Sequence, residues 1–67
     1  RDKIWVQTES TGGKSVYELL SVDGRVIRCN SFAKEVELDL TNISVGFYIL
    51  RIEFGDSRTG SYLIQKQ

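Results

Sequence analysis

Few residues in this 67-residue chain could do chemistry, and their spacing argues against most of it. There is no histidine, so the usual general base and the commonest metal ligand are both missing. Serine–histidine and cysteine–histidine nucleophile pairs cannot be built. Gly13-Lys14-Ser15 resembles the end of a phosphate-binding loop, but the first glycine of that motif falls on Thr8. A strand pattern also follows where a helix would have to hold the phosphate. Glu35, Glu37 and Asp39 stand two apart on a strand pattern, which aligns them in one row facing water. That row lacks the glycine-kinked loop calcium sites use, and Asp56, Ser57 and Thr59 in the last loop are a slightly better but weak set of oxygens. Cys29 is the only cysteine, so it forms no internal disulfide and reads as a core or edge filler, or as a thiol pairing between molecules. No catalytic residue, cofactor site or metal site is expected.

The elements that would carry a binding surface are strands. Strand alternation predicts Ile4–Thr8, Ser15–Val22, Arg25–Asn30, Glu35–Leu40, Gly46–Phe54 and Ser61–Lys66, and no helical apolar stripe appears. Residues 9–14, rich in Ser, Thr and Gly, read as a turn. Asp23-Gly24 between apolar runs is a hairpin signal. Ser15–Val22 is apolar on both faces and reads as a central strand covered on both sides. Val36, Leu38 and Leu40 form one inward row, and Tyr48, Leu50, Ile52 and Phe54 another. Ile43 is expected to pin the crossing loop inward. Six strands with frequent turns and no helix predict an all-β, small antiparallel β-sandwich, immunoglobulin-like, in one domain spanning 1–67.

A domain this small buries only about 60% of its unfolded surface, which leaves little room for an interior cleft beside a core. Nine basic and nine acidic residues cancel, arguing against a nucleic-acid partner, because phosphate binding relies on surplus Lys and Arg. Apolar runs fall well short of the roughly 20 residues a transmembrane helix needs. A chain opening on Arg1 reads as a piece of something longer.

Phe47 and Ile49 lie on the strand face opposite Tyr48. Two readings are open for them. A loop or the first strand covers them, with Trp5 as a lid, or they form an exposed docking patch, which leaves room for a weak homodimer through that face. Gly46, at the loop-to-strand step, is expected to need a positive φ or a close approach. Its replacement by valine should cost about 1–3 kcal/mol. Lys66 is expected to be a surface residue whose change to alanine stays within about ±0.5 kcal/mol.

Three blocks carry a family resemblance. The first is Val16-Tyr17-Glu18-Leu19-Leu20-Ser21-Val22-Asp23-Gly24-Arg25-Val26-Ile27. The second runs from Val36 through Leu40 and Ile43 into Gly46-Phe47-Tyr48, and the third is Tyr62-Leu63-Ile64-Gln65-Lys66-Gln67. In order and spacing the chain resembles the type A C-terminal sorting domain of proteins exported by the bacterial type IX secretion system. It departs from that pattern at Leu20, where an aspartate is common, and at Val45, where a proline is frequent. It also has a single basic residue, Lys66, at its end. The resemblance implies a sandwich of about seven strands that folds in the periplasm and is read by the outer-membrane translocon and shuttle components. A sortase then removes it in most members, joining the cargo to an anionic lipopolysaccharide at the cell surface. Asp23, Gly24, Arg25, Gly46, Phe47, Tyr48, Ile49 and Lys66 are the implied signal and recognition residues. Two other readings remain. Gly46-x-Tyr48 is similar to the tyrosine corner of immunoglobulin or fibronectin accessory domains. Trp5, Tyr17, Tyr48 and Tyr62 could instead serve as the platform of a carbohydrate-binding module.

Overall fold

The computed structural model describes residues 3–8 and 13–67. Its six strands are β1 (Lys3–Gln7), β2 (Ser15–Ser21), β3 (Val26–Phe32), β4 (Glu35–Asp39), β5 (Gly46–Glu53) and β6 (Thr59–Lys66). All pairings are antiparallel: β1 with β4 in one sheet, and β3-β2-β5-β6 in the other. The expected all-β sandwich is therefore the fold, with six strands among the described residues. Most of the expected turn at 9–14 lies outside them.

Between the sheets sits one core. Val6 and Leu38 come from the small sheet, Tyr17, Leu19, Tyr48, Leu50 and Ile52 from the large one, and Phe32 and Leu40 close it. These are the inward members of each alternation, because successive side chains on a strand leave from opposite faces. Leu19 lies opposite Leu50, and Tyr17 opposite Ile52, at the centre of the large sheet. Ile43 packs against the core from the crossing loop, as its apolar character requires. Ser15 is the one buried polar side chain among the described residues, and its Oγ accepts the Gly55 N–H at 3.1 Å.

The reading of β2 as covered on both sides does not hold. It is central, between β3 and β5, but its outward Val16 is 42% exposed. The small sheet covers the inward face only. Leu20 is buried on the outward face by lateral neighbours, Val26 and Ile49, which lie opposite it.

Two hairpins share one construction. In the first, the Gly24 N–H reaches the Ser21 carbonyl and the Ser21 N–H reaches Arg25. In the second, Ser57 reaches Phe54 and Phe54 reaches Arg58 in the same pattern. Each is a three-residue loop completed by a left-handed residue: Gly24 at φ 91° and Ser57 at φ 76°. Glycine takes that conformation freely, whereas a side chain there costs about 1–2 kcal/mol. Ser57→Gly is therefore expected to stabilise the domain. After the greater entropy of glycine in the unfolded chain is subtracted, about 0.5–1 kcal/mol remains. A thermal melt should show a midpoint a few degrees higher; an unchanged or lower one contradicts the argument.

The turn carboxylates are held ionised. Asp23 lies below the usual carboxylate range chiefly because the Ser21 hydroxyl donates to it, with Arg25 adding attraction. Asp56 is lowered by the Arg58 backbone N–H, with the Arg58 side chain also contributing. Asp39 is lowered by the Thr41 side chain and N–H. A carboxyl whose folded pKa is depressed contributes stability above its unfolded pKa, here near 3.8. That contribution disappears as pH falls through the folded values. The melting midpoint should accordingly fall with pH below about 4, and Asp39→Asn should flatten the fall. An identical acid profile for that variant would show that the Asp39 hydrogen bonds contribute nothing to the pH dependence.

Candidate recognition surface

The register gathers the expected signal residues at one end of the sandwich. Ser21, which opens the Asp23-Gly24-Arg25 turn, lies opposite Tyr48, and Tyr48 lies opposite Ile64. Gly46 is opposite Lys66, and Phe47 opposite Gln65. Antiparallel order places the end of β2, the start of β5 and the end of β6 side by side, so three segments distant in sequence form one rim.

Within that rim the residues divide by face. Tyr48 turns inward, is 8% exposed, and donates its phenol hydrogen to the Ser44 carbonyl at 2.6 Å. That bond back to the chain four residues upstream is the tyrosine-corner arrangement. It fixes the angle at which the crossing loop enters β5. Tyr48→Phe should cost about 1 kcal/mol.

Gly46 has φ 149°, and a Cβ added there would meet nothing within 4 Å. Of the two reasons for a glycine at this step, the positive φ applies and the close approach does not.

Lys66 differs from expectation. Its ammonium donates to the carbonyls of Ile43 at 2.7 Å and Thr41 at 3.3 Å, tying the closing strand to the crossing loop. A half-buried charged donor on two carbonyls is a structural staple. Lys66→Ala should therefore lower stability by about 0.5–1.5 kcal/mol rather than leave it unchanged.

The outward face at this end is apolar. Phe47 is 52% and Leu63 71% exposed, Ile49 is half-buried, and Val26 on β3 and Val22 in the turn are exposed. Across the sheet, Val26, Leu20, Ile49 and Leu63 follow one another in register, with Phe47 beside the last pair. Trp5 does not cover them. It stands on β1, which belongs to the small sheet on the other face, and is itself 62% exposed. Of the two readings for Phe47 and Ile49, the exposed patch is the one present. Toward the far end the same face becomes charged, with Arg51 paired to Glu18 across β5 and β2.

The other candidates do not assemble into a site. Glu35 and Glu37 are engaged by Gln7 and Lys3 on the neighbouring strand, and the Asp56 carboxylate is occupied by Arg58. Among the described residues no three His, Cys, Asp or Glu side chains converge. Cys29 is exposed on the outermost strand β3. The four aromatics do not form one platform, because Tyr17 and Tyr48 are buried. Trp5 and Tyr62 instead flank a cleft of about 300 Å³ at the open side between β1 and β6.

Sequence reasoning missed the contribution of Leu63, Val26 and Leu20 to the patch. Their place in it depends on which strand lies beside which, and alternation does not encode that. No helix among the described residues is long and apolar enough to cross a membrane. Comparison with family models, curated proteins and solved structures finds no significant match to this chain.

Proposed function

We propose that this chain is a docking domain that serves as a sorting signal of the type IX secretion kind, read through the apolar end of its outer sheet face. One observation carries the reading: Phe47, Ile49, Leu63 and Val26 form a contiguous apolar patch on a small domain, beside the Asp23-Gly24-Arg25 turn. Exposed contiguous patches on small domains mark surfaces that bind other proteins. An aromatic among aliphatic neighbours is the usual anchor of such contacts. Tyr48, Gly46 and Lys66 act indirectly in this reading, by holding the rim in shape. The partners would be the outer-membrane translocon and shuttle, then the sortase. The domain would pass through the periplasm to the cell surface, the outer membrane or the medium.

The test is a reporter carrying residues 1–67 behind a periplasmic cargo in a bacterium with the type IX system. The parent fusion should reach the surface or medium. Phe47→Ser should remain folded yet leave the reporter in the periplasm. A folded parent domain that is retained in the periplasm overturns the reading, and normal export of Phe47→Ser removes the patch from it.

A further inference from the structure

The large sheet has two outer strands, β3 and β6, and they differ in how regular an edge they present. On β3, the register slips against β2 between Leu19 and Leu20, and Arg28 donates to the Asp39 carbonyl at 2.6 Å. A bulge and an inward charge are usual means of blocking an edge. Among the described residues β6 has no such bulge. The strand runs in unbroken register with β5 over all eight pairs, from Gly46↔Lys66 to Glu53↔Thr59. It contains no proline, and its one charge, Lys66, is turned into the domain to staple the crossing loop. Tyr62 and Leu63, on opposite faces, are 50% and 71% exposed. Tyr62 also lies against Gly60, where a Cβ would come within 2.8 Å of its hydroxyl. The ring therefore runs along the strand and keeps this glycine-containing edge extended. Beside it the cleft between β1 and β6 stays open, lined by Ile4, Val6, Phe54, Tyr62 and Ile64.

We propose that β6 pairs with β6 of a second copy of this chain, joining the two four-stranded sheets into one. The occupant follows from the strand itself. Two-fold pairing of like edges keeps each residue on its own face of the joined sheet, so only residues of equal parity can face one another. Among the registers left, the one centred on Leu63 pairs all of β6 except Thr59. It sets Leu63 against its copy, Tyr62 against Ile64, Ser61 against Gln65, and Gly60 against Lys66. Apolar residues then meet apolar residues, polar meet polar, and no two like charges oppose. Shifting the centre to Tyr62 or Ile64 sets Ser61 or Gln65 against Leu63, polar against apolar, and the shift to Ile64 also shortens the ladder. The chain has no net charge, so nothing repels the second copy at long range. The pairing satisfies the free backbone groups of β6 and closes each open cleft with the partner's Tyr62 or Ile64. It uses the β6 edge, shares Leu63 with the apolar patch, and does not rest on the sorting role.

Sedimentation velocity on the whole chain, up to about 1 mM, should show a monomer–dimer equilibrium. Hydrogen exchange at the β6 amides that face away from β5 should slow as concentration rises. The double variants Ser61→Lys/Gln65→Lys and Ser61→Glu/Gln65→Glu, both at exposed positions, each set like charges opposite in the proposed register. Each should weaken self-association about tenfold or more, while an equimolar mixture of the two should associate again. Phe47→Asp should dimerise like the parent. A chain that stays monomeric throughout, or a dimer without concentration-dependent protection of β6, overturns the proposal. The exchange measurement on the parent decides this even where a variant is poorly folded. A dimer lost in Phe47→Asp but intact in both charge variants assigns association to the sheet face and equally overturns it.

Discussion

Leu19→Ala is expected to leave most molecules unfolded at 25 °C. Leu19 is fully buried, sits opposite Leu50 at the centre of the large sheet, and belongs to the core the described residues form between the sheets. Removing a buried leucine side chain costs about 2–5 kcal/mol, part transfer and part cavity. A domain of this size, with one cysteine and so no internal disulfide, holds only about 3–5 kcal/mol in total. The two ranges overlap, so the loss of one side chain is comparable to the whole stability. Amide NMR dispersion and a circular dichroism melt would show it. Val16→Ala, on the exposed face of the same strand, is the control and should stay within about 0.5 kcal/mol. A Leu19→Ala domain that melts like its parent would mean the two sheets do not close on this core.

Gly55→Ala should be nearly as damaging, for a reason that involves no cavity. An added Cβ would lie 2.5 Å from the carbonyl oxygen of Gly13 and 2.8 Å from its carbonyl carbon. Both groups are fixed backbone, so no side chain can turn aside. Separating them displaces the Gly55 N–H from Ser15 Oγ, whose side chain is buried. Overpacking costs about 1–3 kcal/mol, and a buried polar group left without its partner adds about 1–3 kcal/mol. Gly46→Ala has open space around it and meets only the positive φ. It should cost about 1 kcal/mol. Parallel urea melts of the two variants should therefore place Gly55→Ala at the lower midpoint. The reverse order would show that backbone strain at Gly46 outweighs the contact at Gly55.

Strand identity was open to reading because alternation reports how one side of a strand is buried, a property local to the strand. Val36, Leu38 and Leu40, and Tyr48, Leu50 and Ile52, point where their spacing says they must. Gly24 at the turn is of the same kind, since a left-handed residue is demanded by the loop itself. Ser57 shows the limit: its loop is built the same way, but serine carries no such signal. The surface depended on what the chain brings together from afar. Trp5 was a reasonable lid for Phe47 until β1 paired with β4 over the opposite face. Lys66 looked like a free surface charge until the end of β6 was set beside the crossing loop. Gly55 gave no hint of meeting Gly13, and neither did Leu63, Ile49, Leu20 and Val26 of forming a single apolar band. Each of these follows from strand order and register. Strand order is settled by which long-range pairings bury the most apolar surface together, and the pattern within a single strand carries no record of that competition.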